Sequence, residues 1–364
     1  MKKITIIISS IVLLFLILFF VVPKYSFSEL ENRALSSFPK ISLENIKSGK
    51  YMSDIETYIS DHYPFKNKSL FLKTFIYKII GFNEIDNVYF AKEDFLIEDY
   101  PNISYKDDII KVINNLDSKV NSNVELMIVP TKIMIYSNYL PKYAKYNNQI
   151  SDINYIYKKL NIKTINVFPY LNENKNKYQL FYKTDHHWTS IGAYFGYKAY
   201  MDKINKKCID LLELNQKEVT SEFLGSNYSR TTNYNQEKDK IYIFDIKNNL
   251  EIKYADNQKE TNTLYNFDYL NKKDKYSIFL DNNHSLINII NKDVKSGNLL
   301  IIKDSFANSM IPLLVNHYHK IDIIDPRYYK RSISKYINEN NIEEVLIIYN
   351  YGTLAKDKNI MSIR

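Results

Sequence analysis

Glycine is scarce in this chain of 364 residues: only 7 occur, at positions 49, 81, 192, 196, 225, 297 and 352, where an average composition of roughly 7% would give several times more. Their spacing contains neither G-x-G-x-x-G nor G-x-x-x-x-G-K-S/T, which excludes the two glycine-rich phosphate cradles of nucleotide-binding folds. One cysteine, Cys208, closes no intramolecular disulfide and builds no thiolate metal cluster. Tryptophan is also single, at Trp188. Arginine-rich helices and zinc-ligand spacings are missing, so nucleic acid is not an expected partner, and neither a cofactor nor a metal is expected. What is present is a globular composition, 45% hydrophobic and 25% charged, which excludes disorder as the main description. Tyrosine is abundant, with 33 residues, and 49 Lys+Arg against 41 Asp+Glu give a net charge of +8. At about 150 residues per domain, the length suits two domains, or one large core with an appended region.

Lys2 and Lys3 precede an apolar run from Ile4 to Val22, interrupted only by Ser9 and Ser10 and ended by Pro23-Lys24. At ~1.5 Å per residue the run is about 28 Å long, close to the bilayer's hydrocarbon thickness. A secretory signal has a shorter apolar region and a small-residue cleavage site, and residues 23–29 contain nothing like A-x-A. An uncleaved anchor over residues 4–22, in contact with membrane lipid, is therefore preferred to a cleaved signal. The positive-inside rule then places residues 1–3 in the cytoplasm and the body of the protein outside. A basic body in that location suits anionic wall polymer or lipid.

Beyond the anchor, residues 25–99 read as a membrane-proximal region, with helices over 43–59 and 68–80 and a hairpin in NVYFAKEDFLIED. Residues 100–364 read as an α/β domain. Helical periods at 107–120 and 152–160 alternate with apolar strands at 124–129 and 164–168, and a further helix is expected over 190–204. Short polar strands at about 222–286, including KIYIFDI and LEIKYAD, read as a β-rich insertion. The run LLIIKDS, FANSMIPLLVNHY, KIDIID, SISKYINEN, EEVLIIYN reads as βαβαβ, with strands apolar enough for a parallel sheet covered on both faces.

Two segments carry chemistry. Lys183-Thr184-Asp185-His186-His187-Trp188-Thr189-Ser190 holds two of the 6 histidines and the single tryptophan. It allows a histidine base with Asp185 orienting its Nδ1 proton, and equally a helix cap with Trp188 packed beneath the sheet. Lys303-Asp304-Ser305-Phe306-Ala307-Asn308-Ser309 lies at the carboxyl end of a strand and the start of a helix. Open α/β sheets bind ligands there, and Ser305 occupies the place of a nucleophile; Asp304 or Ser305 acting only as a cap is the alternative. Taken together, the two segments supply the parts of one Ser/His/Asp machine. A metal-dependent phosphoesterase would need further carboxylates at strand ends, and no second Asp/His cluster matches. His317 and His319, in NHYHK, offer a metal pair or a solvated helix end, and His62 reads as part of a turn before Pro64.

With these residues in hand, the chain resembles the DHHW protein family, whose tetrapeptide is present as Asp185-His186-His187-Trp188. Glu31-Asn32-Arg33, Asp61-His62-Tyr63-Pro64, Lys303-Asp304-Ser305-Phe306 and Asp325-Pro326-Arg327-Tyr328-Tyr329 extend the likeness over nearly the whole extracytoplasmic part. That family is related to alginate O-acetylation proteins, so the resemblance implies an SGNH-hydrolase-like, three-layer α/β/α fold with a mainly parallel sheet. It also implies Ser305 as nucleophile, His187 as base and Asp185 as the orienting carboxylate, with His186, Arg327 and Tyr328 toward the substrate. Better-known relatives carry Gly where Lys303 stands and a non-histidine where His186 stands. Oxyanion donors are sought in Ser305 and in Gly225 and Asn227 of the GSN segment.

The expected activity is O-acetyl transfer to a cell-surface polysaccharide through an acetyl-serine, with a membrane-bound O-acyltransferase as the acetyl-donating partner. An acetyl esterase using the same residues and a non-catalytic polysaccharide-binding scaffold are the alternatives. The insertion, lying between the two segments, is the expected source of polymer specificity, and Trp188 should report on the site by its fluorescence.

Overall fold

Lysine at one end and a predominantly apolar sequence thereafter give α1 (Lys2–Val21), a helix in which a 19-residue stretch, Lys3–Val21, is long and apolar enough to cross a membrane. The computed structural model describes residues 2–363; Met1, assigned to the cytoplasm by the charge rule, lies outside the described residues. Two compact units emerge, one comprising Met1–Ile85 with Tyr228–Gln236 and the other Asp86–Asn227 with Glu237–Arg364. The sequence reading sets its boundary after Asp99, whereas the hairpin of Val88–Phe90 and Leu96–Glu98 belongs to the second unit. Residues 228–236, read as part of the insertion, belong to the first.

In the first unit the single helix expected over 43–59 is two, Leu43–Lys47 and α2 (Lys50–His62). Gly49 separates them at φ 75, a left-handed conformation that glycine adopts without a Cβ penalty. Next comes α3 (Lys66–Ile79). The Glu31-Asn32-Arg33 and Asp61-His62-Tyr63-Pro64 motifs meet here. Arg33 pairs with Asp61 (2.5 Å), Lys66 with Glu31 (2.5 Å), and the Ser36 amide donates to Asp61 (2.8 Å).

The second unit contains α4 (Lys106–Asp117), α5 (Gln149–Lys159) and α6 (Ser190–Lys203). Its eight-stranded sheet is formed by β1 (Asn123–Val129), β2 (Lys163–Ile165), β3 (Leu250–Tyr254), β4 (Lys259–Thr261), β5 (Leu286–Asn291), β6 (Asn298–Lys303), β7 (Lys320–Ile324) and β8 (Glu344–Asn350), in the order β4-β3-β5-β7-β6-β8-β1-β2. Strands β2, β1, β8, β6 and β7 are parallel, and β5, β3 and β4 add an antiparallel edge. The central strands are β-branched and leucine-rich because both of their faces are covered. Met127, Val129, Ile301 and Ile348 pack on the face carrying α6, while Leu126, Ile128, Ile302 and Ile347 pack on the face carrying α4 and α5. The period of two along each strand thus generates the three layers.

Two expectations change. LEIKYAD is no separate insertion, since β3 and β4 extend the main sheet. KIYIFDI does lie outside that sheet, as Asp239–Phe244 paired with Gln216–Phe223. The helix expected after Ser305 is a chain of short turns: a 3-10 segment Ser305–Ser309, an α-turn Ile311–Leu314 and a second 3-10 segment Val315–His317. Pro312 has no N–H and its ring would collide with the carbonyl four residues back, so it is tolerated only where a turn begins.

Candidate active site

Asp304 makes the turn from β6 into the 3-10 segment in an extended conformation (φ −98, ψ −170), so the absence of glycine there costs nothing. Its buried carboxylate accepts the Phe306 amide (2.9 Å) and the Asn350 amide (2.8 Å), tying the ends of β6 and β8 together. Burial pushes its pKa up despite these bonds. Ser305, half-buried, is thereby presented at the carboxyl edge of the parallel strands. The preceding Lys303 points into the protein, where its ammonium donates to Asn283 and Asn308 (both 2.7 Å) and burial lowers its pKa to about 8.

The second segment is a loop held from three sides. Below it, buried Lys132 donates to the carbonyls of Tyr182 (2.7 Å), Lys183 (3.3 Å) and Asp185 (2.6 Å), and burial lowers this pKa also to about 8. Beside it, buried Asp239 accepts the amides of Lys183 (2.8 Å) and Thr184 (2.7 Å) and the Thr184 hydroxyl (2.6 Å). Beyond it, Thr189 caps α6 by accepting the Gly192 amide (3.2 Å). Trp188 joins the two segments: it is fully buried, and its indole N–H donates to the carbonyl of Phe306 (2.8 Å). A Cβ on Gly196 would lie 2.6 Å from the Trp188 ring, which is why α6 carries glycine there.

Ser305 Oγ lies 2.8 Å from His187 Nε2, and His187 Nδ1 lies 2.6 Å from Asp185 Oδ1. Asp185 Oδ1 also accepts the His187 amide (2.9 Å) and Oδ2 the Ser226 amide (2.8 Å). Burial works against the Asp185 charge, but His186, His187 and these hydrogen bonds together hold its pKa well below the usual carboxylate range. An ionised Asp185 fixes the proton on His187 Nδ1 and leaves Nε2 free to accept from the serine. His186 engages a different serine: its Nδ1 meets Ser226 Oγ (2.7 Å), its ring lies 3.8 Å from that of His187, and burial followed by His187 lowers its pKa. Asp185, His186 and His187 hold ligand-type atoms within 4.8 Å of one another. Hydrogen bonds already engage them: His187 lies between Asp185 and Ser305, His186 meets Ser226 Oγ, and Asp185 accepts the Ser226 amide.

Other expected site residues go elsewhere. The Gly225 amide donates to Thr184 Oγ1 (3.0 Å) and the Asn227 side-chain amide to the Leu96 carbonyl (3.0 Å), so neither is directed at Ser305 as an oxyanion donor. The GSN segment instead cradles the carboxylate, since a Cβ on Gly225 would lie 2.2 Å from Asp185 Cβ. Arg327 is paired with Asp325 (2.9 and 2.5 Å), and exposed Tyr328 lies with its ring 5.5 Å from the Arg327 guanidinium. Among the described residues no hydrogen bond joins either to the serine, although the Arg327 charge acts on Asp304. Of the two histidines in NHYHK, His317 contacts the Tyr197 hydroxyl (2.6 Å) and His319 the Val294 carbonyl (2.7 Å).

Tyr276 is the site residue that the sequence reading misses. Its ring stacks on His187 at 3.7 Å and 11°, and its hydroxyl donates toward the Ser305 carbonyl and Ser309 Oγ (both 3.1 Å). Nothing in KKDKYSIFL separates it from the other tyrosines. Lys132 had a fainter signal, a charged residue directly after an apolar strand in VPTK.

No curated protein matches this sequence. Among solved structures, a DHHW family protein from Eubacterium siraeum is similar at 22% identity and a TM-score of 0.67, over 76% of this chain and 93% of that one. Bacillus cereus PatB1 with a sulfonyl adduct is similar at 22% identity and a TM-score of 0.63, over 77% of this chain and 100% of that one. The O-acetyltransferase domain of Pseudomonas putida AlgJ follows at 12% identity and a TM-score of 0.48, over 76% and 95%. The DHHW protein profile spans residues 81–324, which include both segments that meet at Ser305, and this chain therefore belongs to the DHHW protein family.

Proposed function

We propose that this protein is a membrane-anchored, extracytoplasmic O-acetyltransferase of a cell-surface polysaccharide that works through an acetyl-Ser305 intermediate. One observation carries the reading: the relay from Ser305 Oγ through His187 to Asp185, at 2.8 and 2.6 Å, on the carboxyl edge of a parallel sheet. In the first half-reaction Ser305 Oγ bonds to the acetyl carbonyl carbon as its proton passes to His187 Nε2. The imidazolium, stabilised by Asp185, returns that proton to the departing donor oxygen. In the second, His187 takes the proton of a sugar hydroxyl, the sugar oxygen attacks the acetyl-serine, and Ser305 leaves with the proton.

The Ser305 amide begins the 3-10 segment and so has no acceptor within it, which suits it to the developing oxyanion. Arg327 and Tyr328 follow β7, the parallel neighbour of β6, and are assigned to the acceptor side. The DHHW resemblance supports a membrane-bound O-acyltransferase as the acetyl source, and α1 with its basic end supports a topology with the body outside.

Ser305→Ala tests the reading. The variant is expected to retain its melting temperature and to lose acetyl transfer from an ester donor to oligosaccharide by at least about three orders of magnitude. Full activity in the variant would overturn it. Acetate release without acetylated sugar in the unaltered protein would make it an esterase, and folded protein whose Ser305 resists a sulfonyl probe would favour a scaffold.

A further inference from the structure

We propose that the anchor-proximal unit is itself a membrane-surface element, with α3 lying in the outer leaflet of an anionic bilayer. Leu72, Phe75, Ile76, Ile79 and Ile80 of α3 and the residue after it are all exposed. Their spacing of three and one places them on a single helical face. The opposite face is occupied, with Thr74 buried against the Thr231 carbonyl and Phe71 in ring contact with Tyr234 at 5.5 Å. An apolar stripe of this kind marks a binding surface.

Charge identifies the occupant. Lys68, Lys73 and Lys78 lie on α3 and no acidic residue does, the composition of a helix that binds anionic lipid, while Lys66 at its start is held by Glu31 and Asp61.

Position agrees with charge. A groove of about 420 Å³ runs along α1 from Ile11 to Phe20 and is closed on its other side by Ile59, Tyr63 and Pro64. Nine helical steps of ~1.5 Å make that stretch about 14 Å long, half of a bilayer's ~30 Å core. The corner at Tyr63-Pro64 therefore sits at outer-leaflet depth beside α1, and α3 begins two residues later at Lys66. The groove is of a shape and apolarity that suit one lipid acyl chain. Lys24, whose ammonium lies over the Phe19 ring and donates to the His62 carbonyl, marks the headgroup level.

The inference rests on α1 being an uncleaved anchor, and the test separates the two. Cys208→Ser removes the native thiol, and Ile76→Cys, Ile79→Cys, Ile11→Cys or Leu212→Cys then carries one fluorophore on the full chain in nanodiscs of phosphatidylglycerol and phosphatidylcholine. Phospholipid brominated at mid-chain should quench positions 76 and 79 several-fold more than position 212, which is exposed in the other unit, and nearly as much as position 11. Aqueous iodide should show the reverse order.

Quenching at 11 without quenching at 76 and 79 overturns the inference while leaving the anchor intact, and it would assign the stripe to a protein partner or a second copy. Quenching at neither overturns both. Quenching at 76 and 79 but not at 11 supports the surface helix and overturns the anchor. The two α3 positions are read independently, so failure of one variant to fold leaves the other as the test.

Discussion

Both oxygens of the Asp185 carboxylate are occupied, one of them by His187 alone. Its Oδ1 receives both the ring and the backbone N–H of His187, and its Oδ2 receives the Ser226 amide. Its pKa is held well below the usual range, so the charge that pairs with the imidazolium persists in acid. Asp185→Asn keeps the shape and removes that charge, and it allows the amide to donate where the carboxylate accepted. The imidazole is then free to turn its proton toward Ser305, and kcat is expected to fall by roughly three to four orders of magnitude with little change in KM. Steady-state kinetics beside a melting curve check this, and a loss below tenfold would remove Asp185 from the relay. Tyr276 belongs to the same scale: its flat stack limits how far the His187 ring can tilt, and its contact with the Ser305 carbonyl ties both partners to one side chain. The Asp185-His187-Ser305 set was legible because its Asp, His and Ser sit in short, unusual strings. Tyr276 was not, since its role arises only from tertiary stacking.

At the scale of the elements, the loop carrying Asp185 has no regular structure of its own and is shaped by its neighbours. Three of the 7 glycines, Gly192, Gly196 and Gly225, stand where a Cβ would strike the Leu180 carbonyl, the Trp188 ring or Asp185. A chain with little glycine thus spends nearly half of it around one loop. Gly225→Ala should push Asp185 off His187, lowering kcat about a hundredfold and stability by about 1–3 kcal/mol. Kinetics and urea denaturation measure both, and unchanged values would show that the cradle has slack. Strands β1, β6, β7 and β8 were readable because their continuous apolar runs answer to burial on two faces. The segment after Ser305 was not, because its apolar spacing imitates a helix while Pro312 and the Asp304 cap divide it into turns. The GSN segment was misjudged as an oxyanion donor because the acceptors that claim it, Thr184, Asp185 and Leu96, are remote in sequence.

On the scale of the whole molecule, the sheet carries one carboxylate that opposes folding at neutral pH. Glu125 of β1 is buried, and burial followed by the charge of Glu344 raises its pKa from 4.5 to about 7. Glu344 keeps its own charge through Lys206, Tyr318 and Tyr200. The folded state therefore holds a proton that the unfolded chain has released, so this group's contribution to stability is complete below pH 4.5 and is lost as pH rises to about 7. Glu125→Gln removes that dependence. Denaturation curves should coincide at pH 4 and differ by about 3 kcal/mol in the variant's favour at pH 8; curves that stay parallel would refute the assignment. The division into two units was only half legible, because the contacts that draw residues 228–236 to the first unit, such as Thr74 with Thr231, span more than 150 residues. The central claim is that Ser305 carries the acetyl group, and mass spectrometry of the full-length protein quenched in acid during turnover with an ester donor tests it most directly. The account predicts one acetyl group on the peptide containing Ser305, discharged when oligosaccharide is added and absent from Ser305→Ala. Acetylated oligosaccharide formed at full rate with no acetyl at Ser305 would contradict it.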